Sequence, residues 1–255
     1  MDSTDHPTFS TPFYPVRIYE TDPGGKATII TLINYFQEAA AQHSRQLGFH
    51  PDKLREFGVG WVMSRLSIQV QRYPEAEEMI RVTTWPRSPR HKTAFRDFIL
   101  EDAKGGILAR GTSAWPVMDL ETRTMTDLPP LLAQMLPHQG ATALEFPSRT
   151  VPKLKDPAYR VSHTPDFFHL DMNGHVNNVH FVTWALEAMP WEFRRTHELT
   201  MLDIVFRGEI RQDDVITADC APAENNPQSW LHSLSRKADC METARALSKW
   251  RQPAP

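Results

Sequence analysis

The stretch Phe168-His-Leu-Asp171-Met-Asn173-Gly174-His175 recurs in degenerate form 149 positions earlier, as Tyr19-Glu-Thr-Asp22-Pro-Gly24-Gly25-Lys26. A helical spacing of apolar residues follows both stretches. At the same offset, Tyr35 falls on Trp184 and Glu38 falls on Glu187. Self-similarity at a fixed, long period indicates a repeated structural unit. The sequence therefore predicts that one unit occurs twice in this chain.

Two further blocks align in the same order, at offsets of 136 and 135 positions. The matched pairs are Leu66 with Leu202, Ile68 with Ile204, Phe95 with Trp230, Ser113 with Ser248 and Trp115 with Trp250. The offset shrinks between the helix and the next strand, where the first copy carries the additional stretch 50–58. Three collinear blocks predict a duplication.

Each copy has the pattern of one helix followed by several strands. Apolar residues at helical spacing predict helices at about 28–47 and 177–189, and Gly48 and Pro190 are placed to end them. Period-two alternation and apolar runs predict the strands 79–85, 93–101, 107–118, 199–210, 214–221, 229–238 and 241–251. Gly105-Gly106 is the expected hairpin turn of the first copy. This order is an α+β pattern.

A proline-rich connector separates the two copies. Its prolines are Pro129, Pro130, Pro137, Pro147, Pro152 and Pro157. This density predicts an irregular segment, with a short helix near 131–136. The predicted organisation is an N-terminal domain over 1–128, a linker over 129–157 and a C-terminal domain over 158–255.

Composition excludes several classes of protein. With 40% hydrophobic residues, 23% charged residues and a net charge of −3, the chain is globular and lacks the basic excess of a nucleic-acid binder. No run approaches the ~18 apolar residues of a membrane span, and no secretory pattern opens the sequence. The two cysteines do not form a disulfide framework, which favours a reducing compartment. We expect a cytoplasmic location.

The loop before the second helix carries the candidate chemistry. Asp171, Asn173 and His175 present a carboxylate, an amide and an imidazole close to a helix N-terminus, whose N–H groups favour developing negative charge. This combination suits acyl transfer, in which a base activates the nucleophile and an oxyanion forms. A thioester needs little acid assistance, because an ordinary thiol has a pKa of about 8.5.

At this point the chain resembles a known family. The run Asp171-Met-Asn173-Gly-His175-Val-Asn-Asn178, followed by Trp184 and Glu187, is similar to the signature of the acyl-ACP thioesterases, plant and bacterial enzymes built from two fused hotdog domains. The segment from His197 to Glu209 is similar to that family's second catalytic block. The resemblance covers essentially the whole chain after about residue 12.

The resemblance implies a tandem hotdog fold and hydrolysis of fatty acyl-ACP to free fatty acid and carrier protein, without a cofactor. It implies that Asp171, Asn173, His175 and Glu209 form the site. Plant members have a cysteine directly after that glutamate, whereas this chain has Ile210. We therefore expect water to attack, with either Glu209 or Asp171 as the general base.

The duplication predicts one site per chain. At the observed offsets Asn173 matches Gly24, His175 matches Lys26 and Glu209 matches Tyr73, so the first copy has lost most of the set. We expect that copy to hold the acyl chain, with Trp61 and Trp85 as candidate lining residues. Plain core packing is the stronger interpretation of these two tryptophans.

The basic residues Arg87, Arg90, Lys92 and Arg96 are a candidate docking patch for an acidic carrier protein, although a solvated loop face is the stronger interpretation. The closely spaced histidines His163, His169, His175 and His180 fit no common metal-ligand spacing, so no metal is expected.

Three alternatives to the main interpretation stay open. Asp171 and Asn173 are also residues that cap helices and form turns. The chain could act on acyl-CoA or run another thioester reaction on the same fold, and it could be a non-catalytic acyl-binding module. Pairing into a homodimer is left undecided by the sequence.

Overall fold

The computed structural model describes residues 11–127, 129–130, 142–224 and 226–253. The chain divides into two compact units, 1–145 and 146–255. The division falls inside the predicted linker 129–157, and the domain bounds proposed from the sequence remain a prediction. The short helix expected near 131–136 lies outside the described residues.

The first unit wraps one long helix with an antiparallel sheet. Its helices are α1 (Ile29–Gln46) and α2 (Pro51–Glu56), and its strands are β1 (Phe13–Pro15), β2 (Val59–Trp61), β3 (Arg65–Val70), β4 (Met79–Arg90), β5 (Thr93–Asp102) and β6 (Ile107–Asp119). The strands lie in the order β1-β4-β5-β6-β3, and β2 also pairs with β6. The additional stretch 50–58 of this copy contains α2.

The helix α1 forms where its cap and its apolar stripe predict it. Oγ1 of Thr28 accepts the N–H of Thr31 over 3.2 Å at its N-terminus. Gly48 follows its C-terminus with a φ of +76°, a left-handed conformation that suits glycine. Phe36 stacks on Phe98 of β5 with ring centroids 4.5 Å apart. A Cβ at Gly111 of β6 would lie 2.6 Å from the Phe36 ring, so this glycine lets the helix pack closely.

The second unit repeats the plan. Its strands are β7 (Tyr159–His163), β8 (Glu198–Phe206), β9 (Ile216–Ala223), β10 (Asn226–Arg236) and β11 (Glu242–Arg251), in the order β8-β11-β10-β9-β7. Its helices are α3 (Asn178–Glu187) and the short α4 (Trp191–Arg194). Oδ1 of Asn177 caps α3 by accepting the N–H of Val179 over 3.1 Å. The α+β class and the double hotdog architecture are confirmed.

Equivalent hydrogen bonds reproduce the offsets found in the sequence. The N–H of Ala27 donates to the carbonyl of Pro74 over 2.8 Å, and the N–H of Val176 donates to that of Ile210 over 2.9 Å. The two donor residues are 149 positions apart in the sequence, and the two acceptor residues are 136 positions apart. In β6 and in β11, a tryptophan Nε1 also donates to the serine two residues before it, in Trp115–Ser113 and Trp250–Ser248.

Two strand boundaries differ from the prediction in an informative way. β4 continues past Trp85 to Arg90, through Pro86 and Pro89. Within the described residues, β1 pairs only with the first residues of β4, so the later residues of β4 have a described sheet neighbour on one side, where proline is tolerated. β8 ends at Phe206 instead of 210, which places Glu209 in the loop after the strand.

Candidate active site

The loop 170–177, called the site loop, is folded around the carboxylate of Asp171. Its Oδ1 accepts the N–H of Asn173 over 2.8 Å and that of His175 over 3.3 Å. The N–H of Asp171 donates to the carbonyl of His175 over 2.7 Å. Gly174 takes a φ of +73° at the turn. Local hydrogen bonding by a short acidic side chain therefore fixes this loop.

The loop 21–28 of the first unit, called the matching loop, has the same internal bonding. Oδ1 of Asp22 accepts the N–H of Gly24 over 2.8 Å and that of Lys26 over 3.1 Å. Gly25 takes a φ of +76°. Bracing of the loop is thus common to Asp22 and Asp171, and the side chains of Asn173 and His175 are what the second copy adds.

Glu209 approaches the site loop from a distant part of the chain. The bond between Val176 and Ile210 joins the loop 207–215, called the β8–β9 loop, to the site loop. Oε2 of Glu209 then lies 3.3 Å from Nε2 of His175, and their side chains are 31% and 25% exposed, respectively. The guanidinium of Arg211 lies 3.9 Å from the same carboxylate oxygen. Water can therefore reach a carboxylate that is held by an imidazole.

The residue after Glu209 has an apolar side chain without a nucleophile. Ile210 is fully buried, so it anchors the β8–β9 loop in the core of the unit. Cys220 is buried on β9, and Cys240 is exposed beyond β10. Burial raises the pKa of the Cys220 thiol to about 12, which keeps it protonated and unreactive near neutrality.

The proposed docking residues do not share one environment. Arg90 and Lys92 are exposed at the turn between β4 and β5, where His91 takes a φ of +52°. Arg87 is half-buried, 3.4 Å from Asp97 and 3.5 Å from Glu145.

Arg96 is buried, so its inclusion in a docking patch is wrong. The cause is the strand pleat, since Arg96 shares the face of β5 that carries Phe98 and points at α1. Its guanidinium donates to Nδ1 of His43 over 3.1 Å and to Oγ1 of Thr84 over 3.2 Å. Burial lowers the pKa of Arg96 to about 10.

The two candidate pocket tryptophans lie in the core instead. Trp85 is buried in β4. Trp61 packs against a cluster that contains Phe49, Leu54 and Val117. The first unit instead has a small apolar cavity between α1 and the sheet, and neither tryptophan lines it. Its walls include Ile33, Phe36, Ala40, Met63, Leu66 and Phe98.

The sequence missed this cavity because its residues come from several separate elements. No local spacing in the sequence connects them.

Within the described residues, no group of three or more His, Cys, Asp or Glu side chains is arranged to hold a metal ion. In the same part of the chain, no helix is long and apolar enough to cross a membrane.

A partly exposed carboxylate–imidazole pair next to a braced loop, in a double hotdog fold, fits a thioester hydrolase. The acyl-ACP thioesterase N-terminal domain matches residues 8–135, and the acyl-ACP thioesterase C-terminal domain matches residues 153–252. The chain therefore belongs to the acyl-ACP thioesterase family. It is an enzyme that hydrolyses acyl-ACP thioesters, as the sequence resemblance implied.

Individual relatives agree with this assignment. The oleoyl-acyl carrier protein thioesterase 2 of Arabidopsis thaliana, a chloroplastic protein, is 30% identical over an alignment of 279 positions, which covers 93% of this chain and 75% of the relative. The solved structure of the 12:0-ACP thioesterase from Umbellularia californica is 25% identical, with a TM-score of 0.89 over 97% of this chain and 99% of that one.

An acyl-ACP thioesterase from Bacteroides thetaiotaomicron shares the fold. It is 21% identical, with a TM-score of 0.85 over 96% of this chain and 98% of that one.

Proposed function

We propose that Glu209 is the general base of this thioesterase and that it activates water directly, without a covalent intermediate. The carboxylate takes a proton from water while the water oxygen bonds to the thioester carbon. The resulting oxyanion re-forms the carbonyl as the carbon–sulfur bond breaks. The leaving thiolate then takes the proton from Glu209, which gives a fatty acid and the thiol of the carrier protein.

The contact between Glu209 and His175 is the observation that carries this proposal. A carboxylate only accepts hydrogen bonds, so the proton of the pair belongs on Nε2 of His175. The imidazole then orients one carboxylate oxygen, and the partly exposed side chain of Glu209 can still face a water molecule. General-base catalysis of this kind contributes about 10²–10⁴-fold to a rate.

Asp171 is the weaker candidate for the base because its carboxylate already accepts hydrogen bonds from the site loop. Its Oδ1 accepts two backbone N–H groups, and its Oδ2 lies 3.5 Å from Nδ2 of Asn173. Asp22 makes the equivalent backbone contacts in a unit that lacks the other site residues. We therefore assign bracing of the site loop to Asp171.

Asn173 is proposed to bind the reacting carbonyl or the attacking water through its side-chain amide. Its side chain is exposed on the site loop, and Asp171 lies close to its Nδ2. An amide donor that faces the oxygen where negative charge develops stabilises the transition state, by about 10²–10³-fold in rate for one donor. The first unit has Gly24 at this position, which offers no such donor.

The natural substrate is proposed to be a fatty acyl group carried by acyl carrier protein. Arg90 and Lys92, exposed at one hairpin turn, are proposed to attract the acidic carrier. Named relatives act on oleoyl-ACP and 12:0-ACP, which supports the substrate class and leaves chain length open. The apolar cavity of the first unit is a proposed site for part of the acyl chain.

We also propose a cytoplasmic location and a homodimeric assembly. A cytoplasmic location agrees with two free cysteines, which are typical of reducing compartments. A homodimer agrees with the tendency of soluble proteins to form symmetric pairs. Cell fractionation and light scattering, respectively, test them.

Thiol release from matched acyl-ACP and acyl-CoA substrates tests the proposed substrate. We expect a higher kcat/KM with acyl-ACP at equal chain length. Equal or higher kcat/KM with acyl-CoA would favour the alternative carrier. No release from either substrate by folded protein would contradict the enzymatic function.

A further inference from the structure

Three histidine side chains surround Trp184 beside the site loop. The ring of His163 stacks on Trp184 at a centroid distance of 5.3 Å. The ring of His169 lies edge-on to Trp184 at 5.5 Å and edge-on to His180 at 4.7 Å. We call His163, His169 and His180 the imidazole cluster. None of them belongs to the proposed catalytic set.

The imidazole cluster supports both ends of the site loop. His169 immediately precedes the loop, and its carbonyl accepts the N–H of Asn177, the last residue of the loop, over 2.9 Å. Its Nδ1 lies 2.8 Å from the N–H of Asp166, so this nitrogen is an acceptor and carries no proton. His180 lies in the first turn of α3, directly after the loop. A change in these rings therefore acts on the loop from both sides.

The first unit has the same cluster without imidazoles. At the offset of 149, the equivalents of His163, His169, His180 and Trp184 are Tyr14, Glu20, Thr31 and Tyr35. Tyr14 stacks on Tyr35 at 5.1 Å, as His163 stacks on Trp184.

The polar contacts correspond as well. Oε2 of Glu20 accepts the N–H of Arg17 over 2.9 Å, as Nδ1 of His169 accepts that of Asp166. The hydroxyl of Thr31 donates to the carbonyl of Glu20 over 2.5 Å. Imidazoles at three of these positions thus occur only in the copy that carries the site.

The imidazole cluster and the equivalent cluster of the first unit respond differently to pH. Histidine is the side chain whose ordinary pKa lies in the physiological range. Burial lowers the pKa of His163, against the opposing effect of Glu187, and burial also lowers that of His180; a charge on His169 lowers both. In the first unit, burial raises the pKa of Tyr14 to about 12.

Glu20 completes the contrast. Burial raises its pKa, but hydrogen bonds from Tyr35 and Arg17 outweigh this effect and lower the pKa on balance. The first cluster therefore keeps one charge state between pH 5 and 8.

The charged and titratable groups around the imidazole cluster come from each element that packs on it. β9 presents the uncharged Ile216 opposite His163. The other groups are Glu187 of α3, Asp166 before the 3-10 turn 167–169, Asp171 and His175 of the site loop, and the ion pair Arg160–Asp219 further along β7 and β9. Glu187 lies 3.8 Å from His163.

We propose that the neutral imidazole cluster positions the site loop, and that its protonation below neutral pH loosens the loop and slows the reaction. The mechanism is direct. Protonation of His180 places a positive charge in the first turn of α3, where the helix N-terminus disfavours it, and beside the ring of His169, whose carbonyl binds the end of the site loop. The effect on rate rests on the proposed function of the site loop, whereas the effect on loop order does not.

Amide hydrogen exchange provides the test, because two equivalent N–H groups report on the two loops. These are the N–H of Val176 in the site loop and the N–H of Ala27 in the matching loop. Between pH 7 and pH 5, after correction for intrinsic exchange, we expect Val176 to lose roughly tenfold more protection than Ala27. A tenfold change in protection corresponds to about 1.4 kcal/mol in the free energy of loop opening.

A variant with the first unit's residues removes the titrating groups but keeps His175. In H163Y/H169E/H180T/W184Y, Val176 should no longer lose more exchange protection than Ala27 between pH 7 and pH 5. Equal losses at Val176 and Ala27 in the unaltered protein, or the same loss in a folded variant, would overturn the proposal. Should this variant not fold, His180→Thr alone should reduce the loss of exchange protection at Val176. An unchanged loss in that single variant would also overturn the proposal.

The acid limb of kcat gives a second measurement. We expect kcat for an acyl-ACP substrate to fall less steeply below pH 6.5 in the fourfold variant than in the unaltered protein. His50→Gln, which replaces a partly exposed histidine of the first unit, should leave the profile unchanged. An inactive protein with pH-dependent exchange at Val176 would refute the proposed function and leave the positioning role intact.

Discussion

The N–H of Val176 donates to the carbonyl of Ile210 over 2.9 Å, and this bond joins the site loop to the β8–β9 loop. Ile210 is fully buried, so the position of the neighbouring Glu209 is fixed from the core side. The equivalent bond in the first unit places Tyr73 where Glu209 would be. The same backbone frame thus carries a carboxylate in only one of the two units.

Glu209→Gln tests the proposed base. Glutamine keeps the size of the side chain and can still accept a hydrogen bond from His175, but it cannot take a proton from water. We expect kcat to fall by about 10²–10⁴-fold with little change in KM. Arg211→Gln is the control for the charge 3.9 Å away. A kcat for Glu209→Gln within a few-fold of the unaltered enzyme would reject this base.

Asp171→Asn and Asp22→Asn form a matched pair that separates bracing from catalysis. Asparagine retains the Oδ1 acceptor that both loops use, and a neutral acceptor weakens such bonds by about 1 kcal/mol. We therefore expect kcat of Asp171→Asn to fall by no more than roughly tenfold, with circular dichroism unchanged. A loss of 10³-fold or more in Asp171→Asn alone would make Asp171 the base.

Much of the fold follows from the sequence because the two copies keep their core residues in the same order. The matches of Tyr35 with Trp184 and Ser113 with Ser248 lie at positions that the structure makes equivalent. Asp171, Asn173 and His175 were recognisable because one short loop carries them all. Glu209 was named only through the resemblance, since the tertiary bond at Ile210 brings it to His175.

The direction of its side chain explains why Arg96 was wrongly placed in the docking patch. Arg96 has basic neighbours in the sequence, but in the strand it lies on the same buried face of β5 as Phe98 and Leu100. A strict application of the strand period to this segment would have removed it from the surface patch. The imidazole cluster had no comparable signal, because its rings come from β7, the 3-10 turn and α3 and meet only in the folded unit.

Charge reversal at the β4–β5 turn tests carrier docking. Arg90 and Lys92 are both exposed, so Arg90→Glu with Lys92→Glu should not disturb the core. We expect KM for acyl-ACP to rise about tenfold at low salt, with KM for acyl-CoA unchanged and the difference reduced by added salt. Lys153→Glu with Lys155→Glu, two exposed lysines of the second unit, is the charge-matched control. An unaltered KM for acyl-ACP would exclude this turn from docking.

The buried His232 predicts acid sensitivity of the second unit. Its Nδ1 donates to the carbonyl of Ala185 over 2.9 Å, so its Nε2 is unprotonated and accepts from the hydroxyl of Ser248 over 2.8 Å. Burial lowers the pKa of His232 to about 4. The unfolded chain therefore binds the proton first, and stability that is fully present above pH 6.5 is lost as the pH falls towards 4.

The lost free energy of unfolding is about 3 kcal/mol for this one group, and urea unfolding between pH 7 and pH 4 measures it. His232→Gln should be less stable at pH 7 but should lose less stability on acidification, because the titrating ring is gone. His50→Gln should retain the full pH dependence, since that side chain is 40% exposed, whereas His232 is fully buried. Parallel pH curves for His232→Gln and the unaltered protein would show that His232 is not buried in its neutral form.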